Sequence, residues 1–196
     1  MDNKLQETDQ ILEEVFADSS DDVFGGLRSM MEQSLRSFAR NHDLERTFVD
    51  LLPPLLRCTS SGFGFIAEVR YTSPERPYLH SHAVTDIYKS GFRRTDVISN
   101  LQFHNLNTLN GAILTERAPI VTNEPDSDHR SGGVPMGHVK LSGYCGLPFL
   151  IRGELVGALA IANRPGGYTQ THVQALQPFC EIAGRMIVNT RRRNDA

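Results

Sequence analysis

Long apolar runs and a strong charge of either sign are both missing from this chain of 196 residues. No stretch approaches the ~18 consecutive apolar residues of a membrane-spanning helix, and the first residues are polar and acidic, unlike a secretory signal. The net charge of −3 comes from 20 basic and 23 acidic side chains, so no global field attracts nucleic acid or an anionic membrane. We therefore expect a cytoplasmic protein without a nucleic-acid or membrane partner.

Cysteine is scarce as well, and the sequence has no recognisable catalytic pattern. Cys58, Cys145 and Cys180 are an odd number at spacings that fit no metal motif, and each lies among apolar neighbours, as buried thiols do. No nucleophile stands beside a base, no phosphate-binding loop is present, and no kinase or cyclase segment follows residue 190. We predict no catalytic residue and no cofactor.

The strongest secondary-structure pattern is a strand at residues 155–162, which is apolar on both of its faces. It predicts a central strand of a sheet. The polar turn at 163–167 ends this strand, and the Arg152-Gly153 pair before it predicts an antiparallel hairpin with residues 145–151. A second strand, at 63–70, alternates so that one face belongs to the core.

Helices are predicted at both ends of the chain. Residues 5–40 show the stripes of two short helices, separated by the acidic run 18–22, which suits an N-cap, and Gly25-Gly26 falls inside the second. A third helix begins near Asp43 and should bend or restart at Pro53-Pro54. The closing helix has a seam that fits either its own sheet or a partner helix: Val173, Leu176, Cys180, Ala183 and Ile187.

Several segments in a fixed order resemble the GAF domain, a small cytosolic sensor module of bacterial signalling proteins. They are residues 51–69, 77–87, 106–125, 132–149 and 154–169, and the last two resemble a subgroup found in sensor histidine kinases and cyclic-dinucleotide enzymes. The resemblance implies an α+β fold: an antiparallel sheet with terminal helices on one face and a ligand pocket on the other, under a cross helix and loops. It divides the chain into a helical extension (1–42), the GAF domain (43–190) and a basic tail (191–196), whose arginines suit a solvated helix end.

The resemblance also implies a function. We expect a non-catalytic sensory or regulatory domain that binds an unidentified small molecule, or forms a homodimer through its terminal helices, in bacterial signal transduction. A downstream kinase or cyclase domain is an expected partner. Two alternatives stay open: a small enzyme of the free methionine sulfoxide reductase type that uses Cys145, and a ligand-free coupling module whose pocket is plugged by its own side chains, Phe63, Phe65, Phe103 and Leu109.

The polar, glycine-rich connection at 123–144 is the predicted lid of the pocket. Arg130 either meets an anionic ligand or pairs with Asp126 or Asp128 to pin the loop. The acids and histidines of this loop lack the further ligands of a calcium or zinc site, so no metal is predicted. The motif of cyclic-nucleotide binders is mostly missing around Asn163 and Tyr168. The candidate ligand-binding residues are Phe65, His82, Phe103, Asn123, Asp126, Asp128, Arg130, Gly137, His138 and Cys145.

Overall fold

Seven strands form one antiparallel sheet in the computed structural model, which describes residues 2–17 and 23–195. The spatial order is β3-β2-β1-β7-β6-β5, and β4 pairs with β2. The expected α+β class with an antiparallel sheet is confirmed. The strands are β1 (Phe63–Ser73), β2 (Arg76–Thr85), β3 (Val97–Ile98), β4 (Gln102–Phe103), β5 (Ile120–Thr122), β6 (Tyr144–Ile151) and β7 (Glu154–Ala162).

Six helices accompany the sheet in the described part of the chain. The short helix α4 packs on one face of the sheet. On the other face, α3 and α6 pack on the strands and α1 and α2 pack on these helices, so that all four share a single hydrophobic core with the sheet. The extension before residue 43 therefore adds to this core. The helices are α1 (Asp2–Phe16), α2 (Leu27–Asn41), α3 (Leu44–Cys58), α4 (Leu109–Glu116), α5 (Gln170–Ala175) and α6 (Gln177–Asn194).

Both faces of the central strands are buried, which corrects the expectation that only one face of β1 belongs to the core. Ile66 of β1 and Leu159 of β7 pack among the terminal helices. Phe65 and Ala160 lie on the opposite face, against α4 and its loops. The sheet therefore separates two apolar clusters, one on the helical side and one on the α4 side.

The structure differs from the predicted helices at two places. Helix α3 continues through Pro53-Pro54. The two prolines lack the N–H groups that would donate to the carbonyls of Val49 and Asp50. The helix tolerates this loss because both carbonyls belong to its less buried side. Gly25-Gly26 lies before α2 and not inside it, and Gly26 takes a left-handed φ of 87° at its N-cap. The predicted N-cap at 18–22 lies outside the described residues.

The seam of the closing helix packs on the chain's own sheet, one of the two arrangements that the sequence left open. Helix α5 ends before Leu176 and α6 begins after it, with Pro178 in the first turn of α6, where a missing N–H costs nothing. All five seam residues are buried, with exposed fractions of 0–3%. They are unavailable to a partner helix in this arrangement.

An ion pair between a buried carboxylate and a half-buried guanidinium fastens α6 to the sheet. The carboxylate of Glu68, only 7% exposed on β1, accepts hydrogen bonds from Nε of Arg191 at 2.7 Å and of Arg70 at 3.1 Å. Nε2 of His82 lies 3.2 Å from it, and Arg191 also donates to the carbonyl of Val69 at 2.6 Å. Arg191 is thus docked on the sheet, which corrects its assignment to a solvated helix end.

The protonation of Glu68 is linked to this pairing. Burial raises the pKa of Glu68, but hydrogen bonds from His82 and Arg191 and the charge of Arg191 outweigh burial and lower the pKa from 4.5 to about 2. Because the pKa is lowered on folding, the pair stabilises the fold above the ordinary range of a glutamate. That stabilisation disappears as the pH falls from about 5 towards 2.

We predict that Glu68→Gln lowers the free energy of unfolding by about 2 kcal/mol at pH 7, since it leaves the half-buried guanidinium of Arg191 without its counter-charge. Urea denaturation between pH 7 and pH 2 measures this, and the variant should lose stability less steeply with acid than the parent chain. Glu75→Gln, at an exposed position of the β1–β2 turn, is the matched control and should behave like the parent. A cost below about 1 kcal/mol, with an unchanged pH slope, would contradict the role given to this pair.

Candidate functional site

A cavity of about 540 Å³ lies between the sheet and the elements that cover its α4 side. Its floor consists of cross-strand neighbours: Phe65 of β1 faces Ala160 of β7, while Ala162 lies between Phe63 and Tyr144. On the cavity side of β7, the small alanine side chains fill little of the space. On the helical side of the same strand, Leu159 and Ile161 fill it. The cavity therefore results from the small residues on one face of the central strand.

Aromatic rings form much of the cavity wall. Phe65 stacks on Phe103 of β4 with ring centroids 5.0 Å apart, and Phe63 meets His138 edge to face at 5.9 Å. Tyr88 approaches the same histidine at 6.3 Å. Aliphatic side chains complete the apolar lining: Val84, Ile87, Ile98, Leu101, Leu109, Val134 and Leu141.

Polar groups line the end of the cavity near α4. The hydroxyl of Tyr144 donates to Oδ1 of Asn110 at 2.8 Å, and burial raises the pKa of Tyr144 well above its ordinary value, so the hydroxyl remains protonated. Thr108 begins the helix: its Oγ1 accepts from the N–H of Gly111 at 3.0 Å and donates to the carbonyl of Asn105 at 3.0 Å. These groups offer a bound molecule hydrogen-bonding partners at defined positions.

Part of the predicted lid at 123–144 lines the cavity: residues 131–135 and 138 do so, and we call residues 131–138 the lid segment. Gly132 touches the loop before α4 so closely that a Cβ there would lie 2.0 Å from the carbonyl oxygen of Asn107. Val134 is 46% exposed although it lines the cavity, and Met136 is fully exposed beside it. At the end of the segment, Nδ1 of His138 donates to the carbonyl of Val139 at 2.6 Å.

An ion pair fixes the chain just before the lid. Nε of Arg130 donates to Oδ1 of Asp128 at 2.9 Å and Nη2 to Oδ2 at 2.8 Å, and Glu116 lies 3.7 Å from the guanidinium. The hydrogen bond from Arg130 outweighs burial and holds the pKa of Asp128 well below its usual range. The sequence left two roles open for Arg130, and the structure shows the one in which Arg130 pairs with an aspartate and holds the loop. Neither Arg130 nor Asp128 lines the cavity.

The other predicted site residues have separate environments. Asn123 clamps Tyr168, donating to its carbonyl at 2.9 Å and accepting from its N–H at 2.8 Å. Asp126 is exposed and pairs with Lys140 at 3.1 Å. His82 is the extra residue of a β-bulge and lies with Glu68 on the helical side. None of these lines the cavity.

Cys145 also lies on the helical side, inside the main core. Burial raises the pKa of its thiol to about 12. A thiol that stays protonated and faces away from the cavity has neither the charge nor the access of a redox nucleophile. The structure therefore does not place Cys145 where the reductase hypothesis needs it.

Three of the predicted residues line the cavity: Phe65, Phe103 and His138. Gly137 stands in the lid, with a left-handed φ of 82°, and a Cβ there would lie 3.9 Å from the ring of Tyr88. Their contact with a ligand stays a prediction. Sequence analysis missed the polar lining residues Asp86, Asn110 and Tyr144, since none belongs to a recognisable motif. The alternation of alanine with large side chains in β7 was the one available indication of a cavity.

The described residues contain no group of three or more histidine, cysteine, aspartate or glutamate side chains placed to hold a metal ion. Across residues 2–17 and 23–195, no helix combines the length and the apolar composition that crossing a bilayer demands.

The GAF domain family model matches residues 41–188 of this chain. Its fold resembles the GAF domain of a phosphoenolpyruvate-protein phosphotransferase from Coxiella burnetii at a TM-score of 0.68 and 13% identity, over 89% of this chain and 100% of that one. Free methionine-R-sulfoxide reductase from Neisseria meningitidis, solved in complex with its substrate, reaches 0.63 at 12% identity, over 89% and 96%. The phycocyanobilin-bound GAF domain of a cyanobacterial phytochrome reaches 0.59 at 12% identity, over 86% and 97%. No curated protein sequence is matched.

We predict that iodoacetamide at pH 8 alkylates Cys58 about tenfold faster than Cys145 or Cys180 in the folded protein. Burial raises the thiol pKa of all three cysteines, but Cys58 is only half-buried, whereas the other two are buried inside the core. Peptide mass spectrometry over a time course measures the three rates. In urea the rates should become similar, which serves as the control. Fast labelling of Cys145 in the folded chain would contradict its placement in the core.

Proposed function

This chain belongs to the GAF domain family, and on that premise we propose that it is a sensory domain that binds a small molecule in the cavity beneath the lid segment. The observation that carries the proposal is the cavity itself. Its volume of about 540 Å³ lies within the range of small-molecule sites, roughly 300–1,000 Å³. An apolar lining with a few fixed polar groups is also what such sites have in common.

A route for the signal supports a regulatory role. β1 carries Phe65 on the cavity face and, three residues later, Glu68 on the helical face, where Arg191 of α6 holds it. A ligand that shifts β1 would therefore act directly on the anchor of the last helix. We propose that α6 transmits the response to a downstream kinase or cyclase domain of a bacterial signalling protein. Such regulation requires two arrangements of α6 with different ligand affinities.

We propose in addition that two chains associate through their terminal helices. The seam of the closing helix is buried within one chain, so the contact would use the outward faces of α1 and α6. Native mass spectrometry at micromolar concentration tests this part on its own: a species of twice the chain mass supports it, and a monomer throughout rejects it.

The two alternative functions have less support. The reductase hypothesis needs a reactive thiol at the cavity, and Cys145 is buried on the opposite face of the sheet. The plugged-pocket hypothesis needs side chains that fill the space, but Phe63, Phe65, Phe103 and Leu109 line the cavity and leave it open. The sensory proposal requires neither feature.

We predict that Val134→Trp weakens binding of the neutral apolar dye Nile red by about fivefold or more. Val134 lines the cavity and is 46% exposed, so a larger ring at this position occupies the cavity without displacing the core. Met136→Trp is the matched control, since Met136 is in the same segment but fully exposed and outside the lining. A fluorescence titration of the parent chain and both variants measures the affinities.

Two results would overturn the proposal. One is the absence of saturable dye binding by the parent chain, together with native mass spectra that show no added mass from a co-purified molecule. The other is equal weakening by Val134→Trp and Met136→Trp, which would place the dye on the surface of the lid segment and not in the cavity.

A further inference from the structure

The cavity lining contains one formal charge, and that charge is negative. Among its described lining residues, Asp86 is the only aspartate or glutamate, and no lysine or arginine is present. Asp86 follows the last residue of β2, at the point where the chain leaves the sheet and enters the cavity wall. A bound molecule therefore meets a carboxylate and no fixed cation.

No lysine or arginine among the described residues forms an ion pair with the carboxylate of Asp86. Within the described part of the chain, its hydrogen-bond donor is the backbone N–H of Tyr88, at 3.3 Å from Oδ1. Two cations of this loop have other partners: Lys89 pairs with Asp96 at 2.6 Å, and Nε of Arg94 donates to the carbonyl of Ser61. Asp86 is half-buried, so its charge acts at the cavity with less screening than on an open surface.

Aromatic rings stand on the same side of the cavity as this charge. Tyr88 is two residues from Asp86, and the ring of His138 has edge contacts with Tyr88 at 6.3 Å and with Phe63 at 5.9 Å. All of these side chains line the cavity. The faces of tyrosine and phenylalanine rings attract cations, and the attraction grows when the cation is desolvated.

We propose that this cavity selects an organic cation, an amine or quaternary ammonium compound with an aromatic or apolar body. The proposal rests on the proposed function, because it names the ligand class of the same site. The ammonium group lies beside Asp86 and the rings of Tyr88 and Phe63, and the apolar body lies over Ala160 and Phe65. An anionic ligand is disfavoured, since its charge would be buried beside a carboxylate with no cation of the lining to pair with it.

Matched probes of one shape test this selection. Phenyltrimethylammonium is the cation, tert-butylbenzene is its neutral isostere, and benzenesulfonate is an anion of similar size. Competition against Nile red on the parent chain gives the three affinities. We expect the cation to bind at least about tenfold more tightly than the neutral isostere and the anion to bind most weakly.

Asp86→Asn isolates the charge, because asparagine keeps an oxygen that accepts the N–H of Tyr88. This variant should weaken binding of phenyltrimethylammonium by about tenfold and leave binding of tert-butylbenzene within about twofold. Asp50→Asn removes the same charge from an exposed position on α3, on the helical side, and should leave all affinities unchanged. Unchanged dye binding by Asp86→Asn verifies that the variant is folded.

The outcomes separate the two proposals. Equal affinity for the cation and its neutral isostere, or a cation affinity that Asp86→Asn leaves unaltered, overturns the charge selection while dye binding still supports a ligand cavity. The same holds if the anion binds best. If neither the dye nor any probe binds the parent chain, the proposed function itself fails.

Discussion

Burial of β1 and β7 on both faces is the constraint on which the rest of this structure depends. A strand buried on both sides needs apolar cover on both, and the two covers differ in size: the terminal helices pack on one side, and only α4 with its loops packs on the other. Large side chains of β7 fill the helical side, while Ala158, Ala160 and Ala162 face α4. The thinner cover and the smaller side chains together leave space for a ligand.

The same sheet separates two polar environments. On the helical side, Glu68 is buried among Arg70, Arg191 and His82, so its charge is compensated and contributes to stability. On the cavity side, Asp86 has no such partner among the described residues. The first carboxylate is therefore part of the fold, while the second is available to a ligand. β1 connects the two sides, because successive residues of a strand point to opposite faces.

Much of the fold could be predicted from local pattern, but only a small part of the site could. The apolar run of β7, its polar turn and the start of α3 near Asp43 are local features, and each lies where the sequence predicts it. The bulge at His82 results from the pairing of β2 with β1, which local sequence does not show. The continuity of α3 through its prolines depends on how buried the affected carbonyls are in the folded chain. The partner of Arg130 was one of the alternatives that spacing allowed. Asp86 and Asn110 are single polar residues, and only the folded chain brings them to one cavity.

The most direct test of the account is NMR of the chain with labelled alanine methyl groups, titrated with phenyltrimethylammonium. Ala160 and Ala162 line the cavity, whereas Ala183 is buried on the helical side of the same sheet. The account predicts saturable shifts at Ala160 and Ala162 with an unaltered signal from Ala183. Unchanged chemical shifts at the two cavity alanines, or shifts that appear first at Ala183, would contradict the claim that this cavity is the binding site.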